Sequence, residues 1–499
     1  MKSYSTLLFL VLFLGTSAMA QEANIFLGRD FWKTSPDVAT VKQKIEEGND
    51  PVAMNAYAFD AITYSILEDT PLETIKYLLS LEGNEVDKST HDGRNYLLWA
   101  GYKGNIPLME LLIEMGSDTK LVDDHGYNLM TFAAVAGQQN TAVYDLILAN
   151  GGSINDTNRS GANALLLLAP HIEDTGIVDY FLEKGLDLHA TDEKGNNMFN
   201  YAARLGNKPI MEMLIAKGVD YKSLNKEGGN AFMFAAGGYR GKTNELATFE
   251  YLDKLGLEAN IVTTEGLTPI HMLAYRQKDG NVFQFFLDKG LDVNQLDQDG
   301  NTAFMRSIRG RNMEAATLLL PITTSINHKN KDGFSALTYA MRSMSKESVD
   351  LLMANGADIK CVDKENRNLV THLFDVYRDR DQEKFEALLN MVIAQEVTTD
   401  KPFSKGSNLL HLAVEKNSSY LIEKAIAMNQ AVNHKNEDGL TPLHLAAMKS
   451  KDEQLLKLLI QHGADLAILT DFEESAFDLA NENELLEKNE VDLNFLRID

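Results

Sequence analysis

Glycine recurs in pairs ten residues apart, and the pairs themselves recur, which leaves this chain few folds other than a repeat array. The pairs are Gly83/Gly93, Gly116/Gly126, Gly151/Gly161, Gly185/Gly195, Gly218/Gly228, Gly256/Gly266 and Gly290/Gly300. The first glycine of each pair is placed to end a helix in the left-handed conformation, and the second to form the next turn. The turn positions run Ala58, Gly93, Gly126, Gly161, Gly195, Gly228, Gly266, Gly300, Gly333, Asn366, Gly406, Gly439 and Glu473, mostly 33 to 35 residues apart. At Asn366, glycine is replaced by a residue that tolerates positive φ well.

Two residues after each turn position stands an expected helix N-cap: Asp60, Asn95, Asn128, Asn163, Asn197, Asn230, Thr268, Thr302, Ser335, Asn368, Asn408, Thr441 and Ser475. All thirteen carry a side-chain oxygen that can accept an orphan amide. Second helices follow with i, i+3, i+4 apolar spacing, as in Leu108, Leu111 and Leu112 or Val282, Phe285 and Phe286. One helix pair cannot bury such a stripe alone, whereas stacking against its neighbours does. In Asp438–Leu466, Thr441 caps a helix with Pro442 first, and a second helix carries Leu455, Leu456, Leu458, Leu459 and Ile460 to Gly463.

That stretch resembles the ankyrin repeat, whose T-P-L-H signature stands here as Thr441-Pro442-Leu443-His444 and, with Ile, at Thr268–His271. The other repeats keep the register without the full signature, and most lack the His that in the family ties neighbouring turns. The resemblance implies an all-α ankyrin-repeat α-solenoid, elongated and curved, of helix–turn–helix pairs joined by β-turns or hairpins. Its expected divisions are a signal peptide at 1–20, a degenerate cap at 21–57, the array at 58–472 and a C-terminal cap at 473–499. In the first cap, Ser35-Pro36-Asp37 is expected to open a helix through Glu47. A near-repeat, Ile326–Asn330 beside Val432–Asn436, suggests internal duplication. The register departs at Gly238–Thr243, at Tyr377–Asp381 with a longer Thr398–Ser404 connection, and at Pro321. The two insertions are candidate binding loops or tolerated loop length.

A net charge of −25 argues against non-specific binding to nucleic acid or anionic membrane. The single cysteine, Cys361, allows no intrachain disulfide. Lys2, the apolar run Leu7–Leu14 and Ala18-Met19-Ala20 read as a signal peptide, leaving Gln21 first after cleavage and no membrane insertion. The run is short for a spanning anchor, and no Cys follows the cleavage site, so a periplasmic or secreted location is expected.

No nucleophile elbow, Gly-rich phosphate loop, H-E-x-x-H or C-x-x-C is present, and no catalysis and no cofactor are expected. Asp297-Gln298-Asp299-Gly300 looks like the start of a calcium loop but falls in the turn register. His411 and His444 occupy equivalent positions in consecutive repeats, roughly 8–10 Å apart by helix packing, too far to share one zinc ion directly. The resemblance places the first-helix ends, nine and ten residues after each turn position, in a concave groove. There the chain carries Tyr102, Lys103, Arg204, Tyr275, Arg276, Arg309 and Arg342, and no acid between Gly93 and Gly333. This is a candidate groove for an acidic partner segment, although helix C-termini favour cations in any case. The family's exposed turn tips would add Arg94, Tyr127, Leu267, Phe334, Arg367 and Leu440, as anchors or as packing between turns. The expected function is a monomeric, non-catalytic scaffold that binds a protein partner. The alternatives are an enzyme or small-ligand binder with its site in loops 238–243 and 377–381, and a secreted effector acting on host proteins.

Overall fold

The computed structural model describes residues 24–497. The segment expected to be a signal peptide, 1–20, lies outside the described residues. The chain divides into two compact units, one holding 24–202 and Pro209–Asp220, the other Ala203–Lys208 and 221–497. The described residues form helices, turns and isolated antiparallel bridges, with no strand among them.

In the first unit, first helices Ala61–Leu67, Tyr96–Lys103, Leu129–Val135 and Ala164–Leu168 pair with second helices Leu72–Leu79, Ile106–Glu114, Thr141–Ala149 and Gly176–Glu183. In the second unit, the same arrangement runs from the pair Ala231–Gly237 and Leu246–Lys254 to the pair Ala476–Asn481 and Glu484–Lys488. Within each unit the pairs stack side by side as an α-solenoid. First helices are short and buried on nearly every side, as in Leu129–Val135, where every residue is buried. Second helices bury one stripe, as Val282, Phe283 and Phe286 do in Gly280–Asp288.

The capping pattern explains where the first helices begin. Twelve of the thirteen expected caps accept an amide of the following turn: Asp60, Asn95, Asn128, Asn163, Asn197, Asn230, Thr302, Ser335, Asn368, Asn408, Thr441 and Ser475. Thr268 differs, its backbone N–H donating to His271 Nδ1 at 3.2 Å. Near the N-terminus Ser35-Pro36-Asp37 leads into the helix Val38–Glu46, with Asp37 as N-cap and Glu47 as C-cap. Asp37 Oδ1 accepts the Thr40 amide at 2.8 Å.

The turns are joined by a ladder of backbone hydrogen bonds. Asp124 N–H donates to Asp92 O (2.9 Å), Thr264 to Glu227 O (2.8 Å), Lys331 to Asp299 O (2.8 Å) and Glu437 to Lys405 O (2.8 Å). Ala58, Asn366 and Glu473, the three turn positions without glycine, still adopt φ of 57°, 59° and 63°. At Gly266 glycine is required twice over: φ is +72°, and a Cβ would lie 2.3 Å from Leu296 O. The duplicated segments make the same bonds. His328 and His434 Nε2 reach the carbonyls of Gly300 (2.8 Å) and Gly406 (2.7 Å), and Asn327 and Asn433 donate to Gly356 O and Gly463 O.

Candidate interaction surface

The first-helix C-termini combine two local causes of basicity: unsatisfied carbonyls that attract cations, and a side-chain direction that leads away from the packed core. In the first unit this end is already occupied by its own contacts. Lys103 Nζ bonds Leu67 O (3.0 Å) and pairs with Asp69 (2.7 Å), while Tyr102 packs on Trp99 and Phe132.

The second unit is different. Tyr275 and Arg276 are exposed at the end of Pro269–Leu273, and Arg309 is exposed at the end of Ala303–Arg309. Arg276 and Arg309 make no ion pair with any described residue, and Arg309 lies 5.6 Å from the centre of the Tyr339 ring. The two ends abut, since a Cβ at Gly310 would stand 2.8 Å from Tyr275 O. Arg204 lies over the Phe234 ring at 4.9 Å. Arg342 is already neutralised, pairing with Asp375 at 2.8 Å, and Asp375 also pairs with Lys416 at 2.8 Å.

The exposure expected at the turn tips is not found at Arg94, which is 7% exposed. It pairs with Asp123 at 2.7 Å and lies over the Trp99 and Phe132 rings. Arg367 bonds Asp363 at 2.7 Å, and Phe334 packs edge-on against Tyr339 and His372. Tyr127, Leu267 and Leu440 are half-buried. The residue one step earlier projects furthest in two of the turns, with Tyr57 72% and Phe472 82% exposed. Tyr57 O meets His91 Nδ1 of the next turn at 2.9 Å, while the Tyr57 ring itself stays in solvent.

A buried polar cluster lies beneath this surface. Arg342 donates to His372 Nδ1 at 3.2 Å; an arginine has no lone pair to offer, so the imidazole proton sits on Nε2. Nε2 lies 3.2 Å from Asp363 Oδ2, at ion-pair distance rather than in an aligned hydrogen bond. Burial would raise the Asp363 carboxyl, but His372 and Arg367 outweigh it and hold the group at about 2. Burial lowers His372, against the pull of Asp363. Neither residue stands out in sequence, because their partners are 30 and 9 residues distant.

The other candidates resolve into structure. Asp297 accepts the amides of Asp299 (3.0 Å) and Asn301 (2.8 Å) and pairs with Arg306, so its carboxylate serves the turn. His271, His411 and His444 each take the N-cap amide on Nδ1 and present Nε2 to a carbonyl of the next turn. Cys361 is buried, 3.6 Å from Ser335 Oγ, and burial pushes its thiol up. The insertion at 238–243 closes on itself as a tight turn, Tyr239 and Lys242 exchanging backbone hydrogen bonds. The one at 377–381 is pinned by Tyr377, which stacks on Tyr420 at 5.1 Å and forms one wall of a cleft.

A family model described as "Ankyrin repeats (3 copies)" matches residues 62–158, 136–225, 232–328, 270–363 and 373–472. Over 150 residues the chain is 27% identical to a "Probable palmitoyltransferase" of Saccharomyces uvarum, covering 29% of this chain and 20% of that protein. The chain thus spans about a fifth of that relative's length. It is 25% identical over 180 residues to an ankyrin repeat protein of Fowlpox virus, covering 36% of this chain and 92% of that one. The human ASB11 ankyrin repeat domain matches at 20% identity with a TM-score of 0.38, covering 47% of this chain and 99% of the domain.

Proposed function

The chain belongs to the ankyrin repeat family, and from that premise we propose that it is a non-catalytic scaffold that takes an acidic segment of a protein partner along the first-helix ends of its second unit. Ankyrin repeats indicate a protein–protein interaction scaffold in general; the acidic segment and its location are the specific content of the proposal. One observation carries it. In a chain with 72 acidic and 47 basic residues, Arg276 and Arg309 stand exposed beside Tyr275 and Tyr339, with no carboxylate among the described residues paired to either. An exposed arginine beside an aromatic ring is suited to hold a partner carboxylate, because the guanidinium offers a planar fork while the ring buries its face.

The test is capture from the producing organism's own fractions by the full chain and by Arg276→Glu with Arg309→Glu. Both side chains are exposed and unpaired, so reversal leaves the fold intact. The expected result is a protein retained by the wild type and lost by the variant. Equal retention by both would move the site elsewhere on the array.

Export belongs to the same proposal and rests on Lys2, the apolar run Leu7–Leu14 and Ala18-Met19-Ala20. N-terminal sequencing of the protein from its producer should begin at Gln21. A chain that retains Met1 would overturn this part.

A further inference from the structure

The inserted residues 377–381 do more than lengthen a loop. The turn Asp379–Asp381 leads into the long helix Gln382–Ala394, and together they wall a cleft of about 600 Å3 against Arg311, Ser343 and Met344 of the preceding repeats. Six cations line it: Arg311, Arg342, Arg378, Arg380, Lys384 and Lys416. Only two carboxylates join them, and each is shared. Asp375 pairs with Arg342 and Lys416, both at 2.8 Å, and Asp381 lies 3.6 Å from Arg380 and 3.8 Å from Lys384. Arg378 is exposed and pairs with no described residue, and Arg311 bonds the Ser343 carbonyl and forms no ion pair among the described residues.

The balance is four uncompensated positive charges around one hollow in a protein of net charge −25. A solvated charge run does not account for this arrangement. The cations come from separate repeats and from the insertion, and they converge on one space instead of spreading along a face. The first turn of Gln382–Ala394 adds the positive end of a helix dipole at the same place, and its N-cap, Asp381, makes no side-chain capping bond there.

We propose that this cleft is a binding site for a compact, multiply charged phosphate group. A single carboxylate would leave about three of these charges unanswered, whereas a di- or triphosphate, or two adjacent phosphate esters, matches both the charge and the space. Arg378 and Arg380 line the cleft from the insertion, and Arg342 and Lys416, both paired with Asp375, line it from the neighbouring first-helix ends. The site does not depend on the acidic-segment reading, whose residues Arg276 and Arg309 lie outside it.

The experiment is calorimetric titration of the full chain with inorganic tripolyphosphate and, separately, with a peptide bearing two adjacent phosphoserines. The variants are Arg378→Ala with Arg380→Ala, and Arg276→Ala with Arg309→Ala as the control. Both pairs are exposed, so neither removes core contacts. The expected result is one-to-one binding that weakens about tenfold or more in the first variant, is unchanged in the control, and falls with added salt. Binding of tripolyphosphate identifies a free polyphosphate as the ligand class, and binding of the peptide alone identifies a phosphorylated protein. Binding of neither probe at low salt would overturn the proposal, as would binding that Arg378→Ala with Arg380→Ala leaves unchanged.

Discussion

Lowering the pH from 7 to 4 is expected to remove about 3 kcal/mol of stability at each of two buried histidines, His271 and His411. Both are 1% exposed. Burial lowers each from 6.5 to about 4; for His271 the nearby Arg306 adds to the effect, and for His411 the ring of His434 does. The sign follows from proton counting. Between about 6.5 and about 4 the unfolded chain binds a proton at each position and the folded chain does not, so stability is complete above that window and is lost as pH falls through it. The structure gives the physical reason. Nδ1 accepts the N-cap amide, and a proton placed there would meet a donor. Asp363, held at about 2, acts only below this window. Urea unfolding at pH 7 and pH 4, with hydrogen exchange to localise the loss, measures the effect. The His271→Gln, His411→Gln double variant should be less stable at pH 7 but show a shallower pH dependence. An unchanged dependence would assign the acid sensitivity to carboxylates instead.

Phe286→Ala should cost about 3–5 kcal/mol. Phe286 is fully buried in the second unit, edge-on to Phe232 (5.7 Å), Phe249 (5.3 Å) and Phe285 (5.0 Å). The ring therefore joins the helix pair it belongs to with the pair before it, and its removal leaves a cavity at that junction. In a stacked array each repeat is stabilised mainly by its neighbours, so the damage should be local. Hydrogen exchange should rise across Ala231–Gly237, Leu246–Lys254 and Gly280–Asp288 while Ser419–Ala427 keeps its protection. A loss below about 1 kcal/mol would show that the packing relaxes into the space.

Register was readable because the turns recur at a nearly fixed spacing, and capping because each cap acts on an amide two or three residues on. The thirteen turn positions, with Ala58 and Glu473 among them, follow from counting along the chain, and twelve caps bond as their side-chain chemistry implies. What was hidden depends on contacts about one repeat away. Arg94 sits at a nominally exposed tip, yet Asp123, 29 residues on, draws it in over two aromatic rings. Arg342 stands in the basic series by position, but Asp375 and His372 of the next repeat absorb it. Tyr57 and Phe472 project into solvent one residue before the positions that sequence register singles out as turn tips. The insertion at Tyr377–Asp381 was visible as a break in spacing. Its meeting with Arg311 and Lys416 was not, since those residues lie in different repeats.

The most direct measurement of the interaction account is the affinity of the captured partner for the full chain and for the Arg276→Glu, Arg309→Glu variant at two salt concentrations. The account predicts that reversal weakens binding about tenfold or more and that wild-type affinity falls with salt, because exposed charges act over a Debye length of roughly 8–10 Å. An affinity that neither reversal nor salt alters would contradict it and leave the partner bound by another face of the array.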